Sequence, residues 1–549
     1  MNTTPKPEKK STKMFVSGVL ILTISNILVK AIGLLFKIPL HDYLGDEGMG
    51  YFNAAYTIYT WFYMISTAGL PVAISVMISK SRARGNFNQV KKILKISLIL
   101  FFIIGAAGML ILIFGSRFFA GLIRMDQSYL CIIAIAPTLF FVCITSAFRG
   151  YFQGHQIMWP TALSQLIESA GKLLIGILLA AWSIKQGHPL HVTAAYTIFG
   201  LTVGVLVGMV FIWVTKLFYK TDAVNAEYML PNSYTMPAGR TKSLLRELVV
   251  IAIPVTLSSS VMSLANLIDL MVVSRRLQDI GLTAEAAATL YGNYTTLAVP
   301  MFNLPPVLIY PIAYSLVPML SAIREQRDFG RLQSVTNASL KIAAILSIPC
   351  AVGMAALSEP ILTLIYGAKD GSAHMAAPLL SILAVSSFLV SMLAMTNSIL
   401  QSAKKQTYPL ISMLAGASVK VIASYILIGN ENIGIYGAPI STDICYIIVM
   451  LMNFYFCARH ADFRPSIGKI FFKPLIAAAC CGAGALFSYG LFIRLIGSQR
   501  LSTVLAIGVA ALIYFALILL TGALTREEFA FIPKGQKIYA LLHRARLVK

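Results

Sequence analysis

The sequence predicts an all-α polytopic membrane protein of about fourteen transmembrane helices, built as two parallel-repeat six-helix lobes plus two C-terminal helices. Three observations carry this. The 549 residues are 58% hydrophobic and only 12% charged, with a mean hydropathy of +0.78. Apolar runs of roughly twenty residues, enough to cross a bilayer core, recur along the whole length and leave no sizeable soluble domain. The two halves also repeat. Tyr51, Asn53, Pro71, Ala73 and Ser75 match Tyr291, Asn293, Pro311, Ala313 and Ser315 at an offset of 240, and Asn26 matches Asn266 at the same offset. Gln153, Pro160 and Lys172 parallel Gln401, Pro409 and Lys420 at offsets of 248 to 249. An even number of spans separates the copies, so both halves point the same way.

In chain order, residues 1–13 form a basic tail, "MNTTPKPEKKSTK". The apolar stretch after it is too long for a signal peptide, carries Lys30 and ends without a small-x-small cleavage site, so it reads as an uncleaved first helix. The N-lobe, 14–219, holds spans near 14–40, 52–79, 93–115, 129–150, 160–184 and 193–218. The polar, proline-broken segment 220–244 is a linker. The C-lobe, 245–457, holds spans near 247–273, 288–320, 338–358, 376–401, 407–428 and 434–457. Spans near 470–493 and 501–522 lie in 458–522, and 523–549 is a second basic tail.

The net charge of +23 is read as topological rather than as a nucleic-acid signal. Of the 44 Lys and Arg, eight fall on loops of one side and four (Lys30, Lys37, Lys172 and Lys420) deep within spans; the rest lie on the loops, or at the span ends, on the side of the N-terminus. This places both termini in the cytoplasm. The seven cysteines sit in or at the ends of spans and read as small core residues. No phosphate-binding G-x-x-x-x-G-K-[ST] loop, H-E-x-x-H or clustered Cys/His pattern occurs. A non-enzymatic protein without cofactor or metal is expected.

Charged residues inside spans carry the functional expectation, because each is costly there. On the first helix Asn26, Lys30, Gly33 and Lys37 fall within about 60° of one another. Snorkelling is the competing reading for Lys37, near the helix end, and a weaker one for Lys30. Glu168 and Lys172 form an i,i+4 pair in the favoured order, whereas the repeat mate Lys420 has Gly416 in place of the carboxylate. Asp269 is seven residues from Arg276 and could pair with it, and Asp443 is a further carboxylate. Arg149 lies in "FRGYFQG" at a span end. Cations outnumber carboxylates, which suits a phosphate or diphosphate. The expected headgroup set is therefore Asn26, Lys30, Lys37, Arg149, Lys172, Asn266 and Lys420. Glu168, Asp269 and Asp443 are the candidates for ion or proton coupling. Pro71, Pro305, Pro306 and Pro311 are expected to bend or break their helices and so to gate, with a static kink as the plainer reading.

The segments "GYFNAAYTIYTWFYMISTAGLPVAISVMISK" (50–80), "FRGYFQGHQIMWPTALSQLIE" (148–168) and "IPVTLSSSVMSLANLIDLMVVSRRL" (253–277) resemble the multidrug/oligosaccharidyl-lipid/polysaccharide exporter superfamily, in its stage V sporulation protein B and MurJ-like lipid II flippase branch. The resemblance covers nearly the whole chain. It implies a MATE/MurJ-like fold and a flippase moving an undecaprenyl-diphosphate-linked saccharide, lipid II or a related envelope precursor, by alternating access. Such flippases carry essential cations on the first helix, facing a central cavity; Lys30 and Lys37 match those positions, as Lys rather than Arg. They also carry cations on the second and eighth helices. Here "NAAYTIYTWFYMIST" and "YGNYTTLAVPMF" are uncharged, with Lys172 and Lys420 as the substitutes. The two extra helices of such flippases form a lipid-facing groove, to which the last two spans correspond. The resemblance further implies a monomer in a bacterial cytoplasmic membrane, driven by membrane potential or a Na+ or H+ gradient, with the lipid-linked oligosaccharide, the bilayer and envelope-synthesis enzymes as partners. The alternative is a cation-coupled multidrug antiporter, which would need a carboxylate-dominated site.

Overall fold

The computed structural model describes residues 8–219, 236–367, 371–461, 463 and 466–522. Residues 1–7 of the basic tail, 220–235 of the linker, Lys369, Arg464 and the tail 523–549 lie outside the described residues. Among the described residues there are helices and turns but no strand. Eleven helices among them are long and apolar enough to cross a membrane, and the first of these, Leu28–Ala83, runs over two expected spans. The seventh and eighth expected spans fall on Thr241–Asp279 and on the interrupted chain from Ala284 to Glu325.

Helix α1, Glu8–Thr67, is one helix with a sharp break at Gly45, whose φ of 60° and ψ of −174° leave the helical region. Glycine takes that conformation without a Cβ penalty. His41 and Asp46, joined at 2.7 Å, straddle the break. The helix stops at Thr67, and α2 (Leu70–Ala83) restarts with Pro71 in its first turn. A proline there forfeits no helical hydrogen bond, so Pro71 marks a new helix rather than a kink within one span. The rest of the first half comprises α3 (Phe87–Phe114), the short α4 (Ser116–Leu122), α5 (Tyr129–Gly154), α6 (Trp159–Lys185) and α7 (Leu190–Phe218).

Helix α8 (Thr241–Asp279) follows, and then the eighth span breaks into α9 (Ala284–Asn293), a π turn at Tyr294–Ala298, α10 (Val299–Phe302) and α11 (Leu304–Glu325). Pro300, Pro305 and Pro306 open the last two pieces, where their missing N–H groups are tolerated, and α11 runs on through Pro311 and Pro318. The remaining helices are α12 (Phe329–Ala356), α13 (Ser358–Tyr366), α14 (Ser372–Ser402), α15 (Thr407–Ile428), α16 (Gly437–His460), α17 (Ile467–Ile496) and α18 (Gln499–Leu520).

The chain forms two compact units. The first comprises Met1–Arg275 with Thr283–Gly292, the second Arg276–Leu282 with Asn293–Lys549. Most of α8 thus belongs with the first unit, by contacts such as Gly69 against the Ala252 carbonyl, where an added Cβ would lie only 2.1 Å from the oxygen. A core of α2, α3 and α5, with Ile74, Phe101, Phe148 and Phe152 buried, takes in Leu244, Leu248 and Ala252 from α8. The core of the second unit joins α11, α12, α14 and α17 through Ile309, Leu320, Leu340, Met392 and Ile470.

One packing motif positions the charged face of α6. Helix α7 carries Gly200, Gly204 and Gly208, four residues apart, in the small-xxx-small pattern that lets membrane helices approach closely. A Cβ on Gly200 would lie 2.5 Å from Gly176 Cα, one on Gly204 2.7 Å from the Lys172 amide nitrogen, and one on Gly208 3.1 Å from the Ser164 carbonyl. The row of α6 at 164, 168, 172 and 176 therefore rests its backbone on the α7 glycines.

Candidate functional site

The first unit gathers charged and aromatic side chains from α1, α5 and α6. Ser25 donates to the Ala162 carbonyl at 3.0 Å and ties the first limb of α1 to α6. Farther along that limb Phe36, 1% exposed, lies against Gly176. The Lys172 ammonium sits between two rings, 5.0 Å from the Phe36 centroid and 4.9 Å from that of Tyr56. An ammonium over an aromatic face is held by the ring quadrupole, by up to about 2 kcal/mol when desolvated. Lys37 is half-buried and close enough for its charge and that of Lys172 to repel each other.

The carboxylate expected to neutralise Lys172 attracts it and also pairs with a second cation. Arg149 Nη2 donates to Glu168 Oε2 at 2.9 Å, and Arg149 Nε donates to Ser164 Oγ at 3.1 Å. Arg149 is 7% exposed. This geometry answers the buried guanidinium with two hydrogen bonds and a counter-charge, as burial of a charge requires. Arg149 from α5 binds Glu168 directly, and Lys172, one turn away, lies between the rings within the field of the same carboxylate.

The other candidates are placed as follows. Asn26 and Lys30 are exposed on the continuous first limb of α1 that carries Lys37. Asn266 is exposed and Asp269 is 9% exposed, both on α8. Arg276 binds Asp279 at 3.1 Å and lies 4.3 Å over the Tyr425 ring. In the second unit Lys420 is half-buried within electrostatic reach of Tyr446, and Asp443 accepts a short hydrogen bond from Ser386. Pro305 and Pro306 are buried. Among the described residues no group of His, Cys, Asp and Glu could hold a metal ion.

The second unit holds an apolar cavity of about 620 Å³ where α17 and α18 meet α12. Its wall includes Pro305, Ile345, Pro349, Cys350, Met354, Cys481, Tyr514 and Phe515.

No spacing in the sequence points to the aromatic partners of Lys172, because Phe36 and Tyr56 are more than a hundred positions away. The Gly200–Gly204–Gly208 spacing was a readable signal for the α6–α7 contact.

The family model described as "Polysaccharide biosynthesis protein" matches residues 15–324, and the MatE model matches 254–426. The lipid II flippase MurJ of Bacillus subtilis strain 168 is 25% identical over 461 residues, 82% of this chain and 84% of that protein. Stage V sporulation protein B of the same organism is 23% identical over 521 residues, 94% of this chain and 98% of that protein. A solved structure of the lipid II flippase MurJ in an inward closed conformation superposes with a TM-score of 0.68 at 15% identity, covering 91% of this chain and 98% of that one. The chain belongs to the polysaccharide biosynthesis protein family, in the stage V sporulation protein B and MurJ-like branch of the multidrug/oligosaccharidyl-lipid/polysaccharide transporter superfamily.

Proposed function

We propose that this transporter moves an undecaprenyl-diphosphate-linked saccharide, lipid II or a related envelope precursor, across the bacterial cytoplasmic membrane by alternating access, with both termini in the cytoplasm. The observation that carries the reading is the pair Lys37 and Lys172. Two ammonium groups repel each other, and the nearby carboxylate, Glu168, is shared between Arg149 and Lys172. A diphosphate, with its two phosphoryl groups, is the ligand that turns this repulsion into attraction. Lys30, on the same helix face, extends the anion path. The apolar cavity beside α17 and α18 suits a stretch of prenyl chain. We assign ion or proton coupling to Asp269 and Asp443.

The relatives' names support the substrate class, since the similar MurJ protein of Bacillus subtilis is a lipid II flippase. The test is rescue of a cell depleted of its lipid II flippase, scored by lipid II reaching the outer surface. Wild type restores it; Lys37→Ala and Lys172→Ala do not, and Lys172→Arg restores part. Full rescue by both alanine variants would remove the headgroup assignment. Extrusion of cationic dyes by a chain that fails the rescue would favour the multidrug antiporter.

A further inference from the structure

The second limb of α1 carries Phe52, Tyr56, Tyr59 and Tyr63 at steps of four, three and four, so the rings share one face. They form a continuous row. Phe36 lies 6.2 Å from Phe52, Phe52 6.4 Å from Tyr56, Tyr56 6.0 Å from Tyr59, and Tyr59 5.8 Å from Tyr63. From Tyr56 to Tyr63 the row extends roughly 10 Å along the helix. The Lys172 ammonium sits at the Tyr56 end, and Tyr56, Tyr59 and Tyr63 all lie within electrostatic reach of Glu168.

Packing alone does not account for this row. Phenylalanine would fill the same space; Tyr63 instead sets its hydroxyl on Thr67, and Tyr56 lays its ring face against Lys172. Tyr56 is 37% exposed even while it sandwiches Lys172, and Tyr63 is half-buried; Tyr59, 6% exposed, spaces the two. The Lys172 ammonium lies over the Tyr56 ring, so that face of the phenol borders a charge and suits a polar or anionic ligand. A pyranose matches such a surface, with an apolar C–H face for the ring and a polar rim for the hydroxyls.

We propose that Tyr56 and Tyr63 form the saccharide subsite of the transporter. The sugar nearest the diphosphate stacks on Tyr56 and the next sugar lies against Tyr63. The anomeric carbon is one oxygen from phosphorus, so a phosphate held by Lys172 brings the first ring to Tyr56. The proposal rests on the reading that Lys37 and Lys172 hold the diphosphate.

The test measures binding of two probes to the full-length protein in lipid nanodiscs: undecaprenyl diphosphate, and undecaprenyl diphosphate bearing a disaccharide. Wild type is expected to bind both, and the glycosylated lipid more tightly. Tyr63→Ala, which leaves the Lys172 sandwich in place, lowers affinity for the glycosylated lipid roughly fivefold to tenfold, the size of one ring contact, and leaves the sugar-free lipid unchanged. Tyr56→Phe keeps most of the sugar preference, and Tyr56→Ala loses it. The subsite is overturned if Tyr63→Ala retains the full preference, if it weakens both lipids equally while its melting temperature is unchanged, or if wild type binds both equally. Failure of wild type to bind either lipid overturns the diphosphate reading and the subsite with it. A variant that melts early is replaced by Tyr63→Leu, which keeps the bulk and lacks the phenol.

Discussion

Tyr514 donates its phenol hydrogen to the backbone carbonyl of Ile345 at 2.8 Å, and Ile345 stands four residues before Pro349 in α12. In an α-helix that carbonyl accepts from the amide four residues on, and proline has none to give. The α18 tyrosine therefore supplies the hydrogen bond that the proline removes, in the wall of the apolar cavity. Tyr514→Phe is expected to lower stability by about 1–2 kcal/mol. Adding Pro349→Ala restores an amide donor and recovers most of the loss. Melting temperatures of the four members of this cycle check it, and a purely additive cycle would refute the link.

The Arg149–Glu168 pair predicts an asymmetric response. Glu168→Gln leaves a guanidinium uncompensated, which costs a few kcal/mol in a buried site, somewhat less here because the Glu168 side chain is 23% exposed. Replacing both, as Arg149→Met with Glu168→Leu, is milder than either single change. Thermal unfolding of the purified variants measures this. If the double variant is the least stable, the pair does not serve as a counter-charge.

His155, in the turn between α5 and α6, is 1% exposed, and the Arg82 guanidinium donates to its carbonyl at 3.1 Å. Burial pushes the imidazole down to about 4, assisted by the charges of Arg82 and Lys216. The unfolded chain takes up a proton near the ordinary 6.5 while the folded one resists. The contribution of His155 is therefore fully present above pH 6.5 and is lost as pH falls toward about 4. The loss amounts to roughly 3 kcal/mol. Apparent melting temperature between pH 7.5 and pH 4.5 should fall in wild type and fall less in His155→Gln.

The α6–α7 contact leaves no room for a side chain. Gly204→Val is expected to cost about 1–3 kcal/mol by overpacking, because its Cβ would meet backbone at 2.7 Å. Gly508→Ala in α18, with nothing within 4 Å, should be neutral or gain up to about 1 kcal/mol. Melting temperatures side by side separate close packing from helix propensity.

Hydropathy made the helical class legible, because membrane helices must be long and apolar whatever surrounds them. The cations at 37 and 172 were legible for the same reason, since charge in a span stands out. The partner of Glu168 was not. The i,i+4 rule knows only one helix, and Arg149 arrives from another with a bidentate-capable group. Prolines showed that the eighth span is interrupted, where α10 and α11 begin, but not that Pro71 opens a new helix. A missing amide looks alike in sequence at a first turn and at a kink. The tyrosine row was hidden in plain aromatic composition, where a ring on a polar face and a ring in the core are written with the same letters.

The three glycines of α7 also quantise the site. Their spacing of four matches the row at 164, 168, 172 and 176, so α6 and α7 exchange equivalent partners in steps of four residues, about 6 Å. Any smaller slip drives a β-carbon of α7 into the backbone of α6. The height of the Lys172 ammonium in the bilayer is thus set digitally. Selection on this site can change which side chain stands at that position more readily than it can shift the α6 backbone beneath it.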